Sequence, residues 1–147
     1  MYHIEEVVNF LKIVDNDFPV SLSQKTDIEL LAKKYCEHGT VCCAYDNHRI
    51  IAMVVGYIKN TVNQMGYISL VASVREARRL GLASKLVREF LEKAEEKHLT
   101  AVHVYTHITN YGAIAMYEKL GFVRYSPENE PRPNDVHFFY FFSREKE

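Results

Sequence analysis

The spacing of apolar residues predicts four helices, over residues 2–14, 24–37, 79–97 and 110–120. In each range apolar residues recur every three or four positions, which places them on one face of a helix. In the third helix this face consists of Leu82, Leu86, Phe90, Leu91 and Ala94. Gly39 follows the second helix, at a position where glycine commonly ends one.

Shorter runs rich in apolar and β-branched residues predict six strands, over residues 41–45, 50–59, 64–73, 101–106, 121–125 and 136–143. The segment from Asp46 to Arg49 separates the first two strands and has the composition of a hairpin turn. The last strand is apolar on both faces, so we expect it to be buried. The order α-α-β-β-β-α-β-α-β-β predicts a mixed α/β (α+β) sheet, in which an antiparallel meander precedes a βαβ unit with a parallel strand pair.

Composition favours one globular domain over residues 1–147, because 48% of the chain is hydrophobic and 12% is aromatic. No apolar stretch approaches the ~20 residues that span a bilayer, and the N-terminus does not resemble a signal peptide. The three cysteines, Cys36, Cys42 and Cys43, are odd in number and form no Cys-x-x-Cys motif. We therefore expect a cytoplasmic protein with reduced thiols, with no membrane partner and no metal site.

The net charge of −1 gives no general attraction to nucleic acid, but the charge is unevenly distributed. Residues 75–88 contain five basic residues and one acidic residue, Glu76, for a local sum of +4. The basic residues are Arg75, Arg78, Arg79, Lys85 and Arg88. Without a net basic charge or interleaved aromatic residues, nucleic-acid binding is the least favoured use of this patch.

Residues 78–83 (Arg-Arg-Leu-Gly-Leu-Ala) lie between a predicted strand and the longest predicted helix. The first turn of a helix has unpaired N–H groups with partial positive charge, and small residues at Gly81 and Ala83 let a ligand approach them. With the flanking arginines, this segment predicts a phosphate or pyrophosphate site. The alternative is a solvated basic helix start with a packing glycine.

Two motifs resemble those of the GNAT (general N-acetyltransferase) superfamily. Arg78-x-x-Gly81-x-Ala83 after a strand resembles its acyl-CoA pyrophosphate motif. Farther along, Asn110-x-x-Ala113-x-x-x-Tyr117-Glu118-Lys119-Leu120-Gly121-Phe122 resembles its C-terminal motif. The resemblance covers residues 40–125 and implies acetyl-CoA as a cosubstrate, in a sheet whose central strands splay apart.

The resemblance implies where acetyl-CoA binds. The pyrophosphate would be held by Arg78 and by the backbone N–H groups of Arg79, Leu80, Gly81, Leu82, Ala83 and Ser84. The pantetheine arm would pair with the strand end at Val71, Ala72 and Ser73, and Asn110 and Ala113 would meet the cofactor. The thioester would lie between the strand segments 68–73 and 102–106, where an N–H near Val71 or Ala72 would polarise its carbonyl.

Tyr117 matches the general acid of this family, which protonates the departing CoA thiolate; the alternative is a buried aromatic with a satisfied hydroxyl. No acid lies between Gln64 and Ser73 to act as base, so His107, just after the strand predicted over residues 101–106, is the candidate. Equally, His107 can be a hydrogen-bonded residue that orients the turn before Asn110. We expect His103 to be a satisfied core residue.

The acceptor site is expected in the loop after the first helix and near the last two strands. Phe18, Tyr67 and His137 are candidate substrate contacts, and the segment Pro127–Pro133 is a candidate wall or lid. The chain departs from the family pattern at Arg75, where many relatives have proline. It also lacks the usual first strand, so a sheet edge is expected to be open or covered by a partner subunit.

These features together predict an N-acetyltransferase that moves an acetyl group from acetyl-CoA to an amine of a small molecule or peptide by direct attack. No cysteine falls in the proposed cleft, so no acetyl-cysteine intermediate is expected. Two alternatives are O-acetyl transfer to a sugar or nucleotide-sugar and a CoA-binding module without catalysis. A homodimer is also expected.

Overall fold

The computed structural model describes residues 3–59, 62–125 and 132–143. Its helices are α1 (Ile4–Val14), α2 (Leu22–Lys25), α3 (Ile28–His38), α4 (Leu82–Glu96) and α5 (Tyr111–Leu120). Its strands are β1 (Thr40–Asp46), β2 (Arg49–Tyr57), β3 (Met65–Ser73), β4 (Ala101–His107), β5 (Val123–Arg124) and β6 (Asp135–Phe141).

The described strands form one mixed sheet in the order β1-β2-β3-β4-β6-β5. Strands β1, β2 and β3 are an antiparallel meander, and β3 pairs with β4 in parallel through the crossover helix α4. The predicted meander and βαβ unit are therefore confirmed. Helix α1 is the first described element, and β1 lies at one edge of the sheet.

Two hydrophobic cores lie on opposite faces of this sheet. Helices α4 and α5 cover one face, where Phe90 and Phe138 are fully buried. Helices α1 and α3 cover the other, where Phe10 and Met53 are buried. Gly56 permits the packing of α4, since a Cβ there would lie 2.7 Å from the Phe90 ring and 2.2 Å from the Tyr67 carbonyl oxygen.

The central strands separate beyond a bulge in β3. In the register with β2, Ile68 pairs with Gly56 and Leu70 pairs with Val55, so Ser69 is skipped. The parallel pairing of β3 with β4 ends at Ile68 and Val104, although β3 continues to Ser73 and β4 continues to His107. A gap therefore opens between the two strands, which confirms the predicted separation of the central strands.

Three local predictions were wrong in detail. The helix predicted over residues 24–37 is two helices, because Asp27 caps a new one by accepting hydrogen bonds from the N–H groups of Glu29 and Leu30. The strand predicted at 121–125 is only two residues long. The last strand is not buried on both faces, since Phe141 is 62% exposed. Most of the predicted lid, residues 127–131, lies outside the described residues.

The thiols are structural in the described part of the chain. Cys42 is buried, Cys36 and Cys43 are half-buried, and none of the three forms a disulfide. Burial raises the pKa of Cys42 and of Cys43 to about 12, so both remain protonated near neutral pH. Within the same residues no cluster of ligating side chains is suited to a metal ion. None of the described helices combines the length and apolar character needed to cross a bilayer.

Candidate functional site

The turn into α4 presents a row of free backbone donors. The amide N–H groups of residues 79–84 form no hydrogen bond with any other described residue. Gly81 is the N-cap of α4, and both Gly81 and Arg79 have left-handed backbone conformations, with φ values of 76° and 69°. Six unpaired donors at a helix N-terminus form a site for an anion such as a pyrophosphate.

The backbone conformation at position 81 favours glycine. A Cβ added to Gly81 would have no atom within 4 Å, so there is space for a side chain. The φ value of 76° is nevertheless unfavourable for L-residues, by roughly 1–2 kcal/mol. The open space above Gly81 leaves the donors accessible to a ligand.

A cavity of about 720 Å³ extends from this turn to the start of α5. It brings together seven of the predicted cofactor-binding residues: Val71, Ala72, Ser73, Arg78, Ala83, Asn110 and Ala113. The other five, Arg79, Leu80, Gly81, Leu82 and Ser84, do not line this cavity. Their backbone N–H groups form no hydrogen bond with any other described residue.

Asn110 acts as a helix cap, as its residue type predicts. Its side-chain Oδ1 accepts a hydrogen bond from the Ala113 N–H at 3.2 Å, which fixes the start of α5 against the cavity. Ala83 in the α4 turn and the first turn of α5 line the same cavity.

Arg78 connects the first cavity to the loop after α1 through an ion pair with Asp17. Its Nη2 donates to Asp17 Oδ2 at 2.6 Å, and its Nε donates to the Ser73 carbonyl oxygen at 3.4 Å. Phe18 and Pro19, which follow Asp17, line the cavity with it. The contact with Asp17 was not predicted, because the two residues lie 61 positions apart in sequence.

The alternation of backbone groups in β3 distinguishes the two candidate carbonyl-binding donors. The Val74 N–H donates to the Ile51 carbonyl oxygen at 2.9 Å, toward β2. Because successive residues of a strand direct their N–H groups to opposite sides, Ala72 also points toward β2, and Val71 points into the gap. The Ser73 carbonyl points away from β2 as this alternation requires, since it accepts from Arg78.

A second cavity, of about 330 Å³, lies where β3 and β4 separate. It adjoins the first cavity, since both are lined by Phe18, Val71, Asn110 and Ala113. It contains four of the residues predicted for catalysis and acceptor binding: Phe18, Tyr67, His107 and Tyr117. Ser69, Tyr105 and Arg132 also line it, and they belong to segments that the sequence placed at the cleft or its wall. Lys25 and Asp135 line it as well and were not predicted.

Tyr117 lies on α5 at the inner end of this cavity and is 2% exposed. Its ring packs against Phe122 and Phe138, with centroids 5.1 and 5.6 Å away. Burial raises the pKa of Tyr117 well above its ordinary value, so the hydroxyl keeps its proton at neutral pH. No described residue forms a hydrogen bond with this hydroxyl, so the proton is not committed to a neighbour.

The hydrogen bonds of His107 define its tautomer. Its Nδ1 accepts from the Thr109 N–H at 3.2 Å and lies 2.7 Å from Thr109 Oγ1. Since a backbone N–H can only donate, the neutral ring carries its proton on Nε2. These contacts match the alternative in which His107 is a hydrogen-bonded residue that orients the turn before Asn110. Accepting a further proton at Nδ1 requires the Thr109 N–H to give up its bond.

His137 lies outside the cavity lining, on the far side of β4. Its Nε2 is 3.0 Å from His103 Nδ1, and its ring stacks on Tyr105 with a centroid distance of 4.0 Å. Burial lowers the pKa of His103 to about 4, and the neighbouring His137 and Arg132 add to the effect. His103 is thus a neutral, hydrogen-bonded residue, as expected.

Asp135 is the acidic residue that the sequence did not reveal. The antiparallel register of β4 with β6 places Asp135 opposite His107, at the cavity, with Arg132 Nη1 at 3.9 Å from its carboxylate. Only the strand register brings these residues together. The sequence signal for it was weak, since Asp135 lies just before the predicted last strand.

Comparison with known proteins gives one consistent result. A sequence model described as "Acetyltransferase (GNAT) family" matches residues 7–122. "N-alpha-acetyltransferase 30" from Schizosaccharomyces pombe is 35% identical over 86 residues, which is 56% of this chain and 56% of that relative. The chain therefore spans about half the length of the curated relatives it matches.

Solved structures share the fold at low sequence identity. Ard1 from Thermoplasma volcanium is 20% identical with a TM-score of 0.75, over 95% of this chain and 93% of that one. An acetyltransferase from Bacillus subtilis in complex with CoA is 16% identical with a TM-score of 0.70, over 97% of this chain and 95% of that one.

Proposed function

The chain belongs to the GNAT acetyltransferase family, and from that premise we propose that it transfers the acetyl group of acetyl-CoA to a primary amine by direct attack in a ternary complex. Family membership confirms the resemblance of the two sequence motifs. The observation that carries the proposal is the pair of adjoining cavities, one at the free N–H groups of the α4 turn and one at Tyr117.

The residues of the first cavity fit a CoA thioester. Free N–H groups from Arg79 to Ser84 would hold the pyrophosphate, and the positive Arg78 lies beside them. The end of β3, unpaired on its β4 side, offers backbone groups to the pantetheine amides. The cosubstrate supplies the activated acetyl group, and the remaining steps belong to side chains and amides of this chain.

Two groups would act on the thioester. The Val71 N–H would donate to the carbonyl oxygen as the amine nitrogen bonds to the carbonyl carbon and negative charge develops on that oxygen. As the carbon–sulfur bond breaks, the Tyr117 hydroxyl would donate its proton to the departing thiolate. Its burial and lack of a hydrogen-bond partner among the described residues favour this role.

His107 is proposed to accept the proton that the amine loses. The new Nδ1–H would donate to Thr109 Oγ1, which lies 2.7 Å away. Replacement of His107 by Gln tests this role, because Gln can still accept the Thr109 N–H but cannot take up the proton of the amine: we expect kcat to fall while acetyl-CoA binding is unchanged. A wild-type kcat in this variant would instead indicate that His107 only orients its turn.

We propose the α-amine of a peptide or protein as the acceptor, because the relatives are named N-alpha-acetyltransferases. The test is thiol release from acetyl-CoA with a panel of acceptors: peptides with a free α-amine, the same peptides with a blocked α-amine and a free lysine, polyamines and aminosugars. Turnover confined to peptides with a free α-amine supports the proposal. Turnover only with a small amine would contradict the peptide assignment and leave the N-acetyltransferase assignment standing.

The same assay addresses the alternatives. Turnover with a sugar hydroxyl and with no amine would indicate O-acetyl transfer. Binding of acetyl-CoA without turnover of any acceptor would indicate a CoA-binding module. The single-domain organisation, the cytoplasmic location and the homodimer stay predictions, and gel filtration with light scattering tests the last.

A further inference from the structure

Ser69 is the residue at which β3 loses both of its neighbours. The register with β2 passes from Ile68 to Leu70 and skips Ser69. The register with β4 ends at Ile68. Ser69 therefore has no register partner in either adjacent strand, and the gap that forms the acceptor cavity opens at this position.

A buried tyrosine from another layer holds this residue. Tyr35 lies on α3, is 3% exposed, and its hydroxyl lies 3.0 Å from Ser69 Oγ. Burial raises the pKa of Tyr35 to about 12, so its hydroxyl remains protonated through the neutral range. The hydrogen bond joins the bulge to a helix packed on the sheet, so α3 restrains the bulge.

The bulge determines where the following N–H groups point. Inserting one residue in a strand reverses the direction in which each subsequent backbone group faces. With Ser69 bulged, the Val71 N–H faces the gap and the Ala72 N–H faces β2. Loss of the bulge would turn the Val71 N–H toward β2 and remove it from the gap.

We propose that Tyr35 is a positioning residue: its hydrogen bond to Ser69 holds the β3 bulge, and the bulge aims the Val71 N–H at the carbonyl oxygen of the acetyl group. The inference rests on the proposed acetyltransferase function. The aimed N–H stabilises charge that develops on the carbonyl oxygen only in the transition state. Loss of the Tyr35 hydrogen bond should therefore lower kcat and leave KM nearly unchanged.

The chain offers a matched control in Tyr57. Its ring lies 6.4 Å from that of Tyr35, and its hydroxyl is buried with no hydrogen-bond partner among the described residues. Replacement of either tyrosine by Phe removes one buried hydroxyl from the same region. Only Tyr35→Phe removes a contact with the bulge.

The experiment compares steady-state kinetics of the wild type, Tyr35→Phe and Tyr57→Phe at a temperature well below the unfolding of all three. We expect Tyr35→Phe to lower kcat about tenfold, because a displaced Val71 N–H stabilises the developing oxyanion less well. The KM values for acetyl-CoA and amine should be unchanged, and Tyr57→Phe should match the wild type. Ser69→Ala should reproduce the effect of Tyr35→Phe, and the double variant should show no further loss.

Two results would overturn the inference while leaving the acetyltransferase assignment intact: wild-type kcat in Tyr35→Phe, or equal losses in the two tyrosine variants. If Tyr35→Phe does not fold, the same comparison is made with Ser69→Ala, because Ser69 is exposed and its replacement is not expected to prevent folding. A wild-type protein that acetylates no acceptor would overturn the proposed function itself, and the positioning role with it.

Discussion

The two adjoining cavities are built in different ways. On the cofactor side, the donors are six consecutive backbone N–H groups in one turn, residues 79–84. On the acceptor side, the walls are side chains from six separate segments of the chain, which contain Phe18, Lys25, Tyr67, Tyr105, Tyr117 and Asp135. The first side depends on local backbone conformation, and the second depends on how distant elements pack. Substitutions in the two regions should therefore fail in different ways.

The largest expected effect is at the inner end of the second cavity, where Tyr117 lies. Tyr117→Phe removes the proposed acid while keeping the ring against Phe122 and Phe138. We expect kcat to fall by about 100-fold or more, the usual contribution of general acid catalysis, with acetyl-CoA binding by calorimetry unchanged. Equal losses of binding and turnover would contradict the assigned role.

On the cofactor side, backbone conformation should matter more than side-chain chemistry. Gly81→Val places a β-branched residue at a φ of 76°, which costs about 1–2 kcal/mol and should raise the Kd for acetyl-CoA about tenfold. Gly81→Asn is the matched control, since Asn tolerates the left-handed region, and it should retain most of the affinity. Equal affinities for both variants and the wild type would refute the role of the turn.

On the acceptor side, charge should matter. An amine reaches the cavity as an ammonium ion, so the Asp135 carboxylate should attract it, although Arg132 at 3.9 Å offsets part of the effect. We expect Asp135→Asn to raise the KM for the amine about three- to fivefold, with the KM for acetyl-CoA unchanged. Added salt should reduce the difference. Asp46→Asn, at the exposed end of β1, is the control and should have no effect.

The smallest effect concerns stability at mildly acidic pH. The pKa of His103 is lowered to about 4 in the folded state, whereas in the unfolded chain it keeps the ordinary histidine value of 6.5. As the pH falls below 6.5, the unfolded chain therefore binds a proton at this residue before the folded protein does. The contribution of His103 to the free energy of unfolding is fully present above pH 6.5 and should be lost as the pH falls from about 6.5 to about 4. His103 is partly exposed to solvent, which weakens the effect, so we expect a loss of about 1 kcal/mol.

Urea unfolding at neutral and mildly acidic pH measures this change. His103→Phe should reduce the pH dependence, and His48→Asn, in the exposed hairpin turn, should leave it as in the wild type. An unchanged slope in His103→Phe would show that His103 does not contribute.

The sequence determined the features that depend on neighbouring residues. The helix and strand order follows from hydrophobic period. The open turn into α4, where we predict an anion site, follows from Gly81 and Ala83 between a strand and a helix, and the cap of α5 follows from Asn110. Each of these rests on a contiguous segment, whose conformation the local residue types control. Phe18, Tyr67 and His107 were placed in the acceptor region largely because family resemblance supplied the tertiary context.

Only the tertiary structure decided which distant residues meet. The Arg78–Asp17 ion pair, the Tyr35–Ser69 hydrogen bond and the position of Asp135 opposite His107 join residues far apart in sequence. The same holds for His137, which pairs with His103 outside the cavity lining. The physical reason is that strand register and the β3 bulge are set by packing across the whole sheet. A shift of one residue in either would send different side chains and N–H groups into the gap.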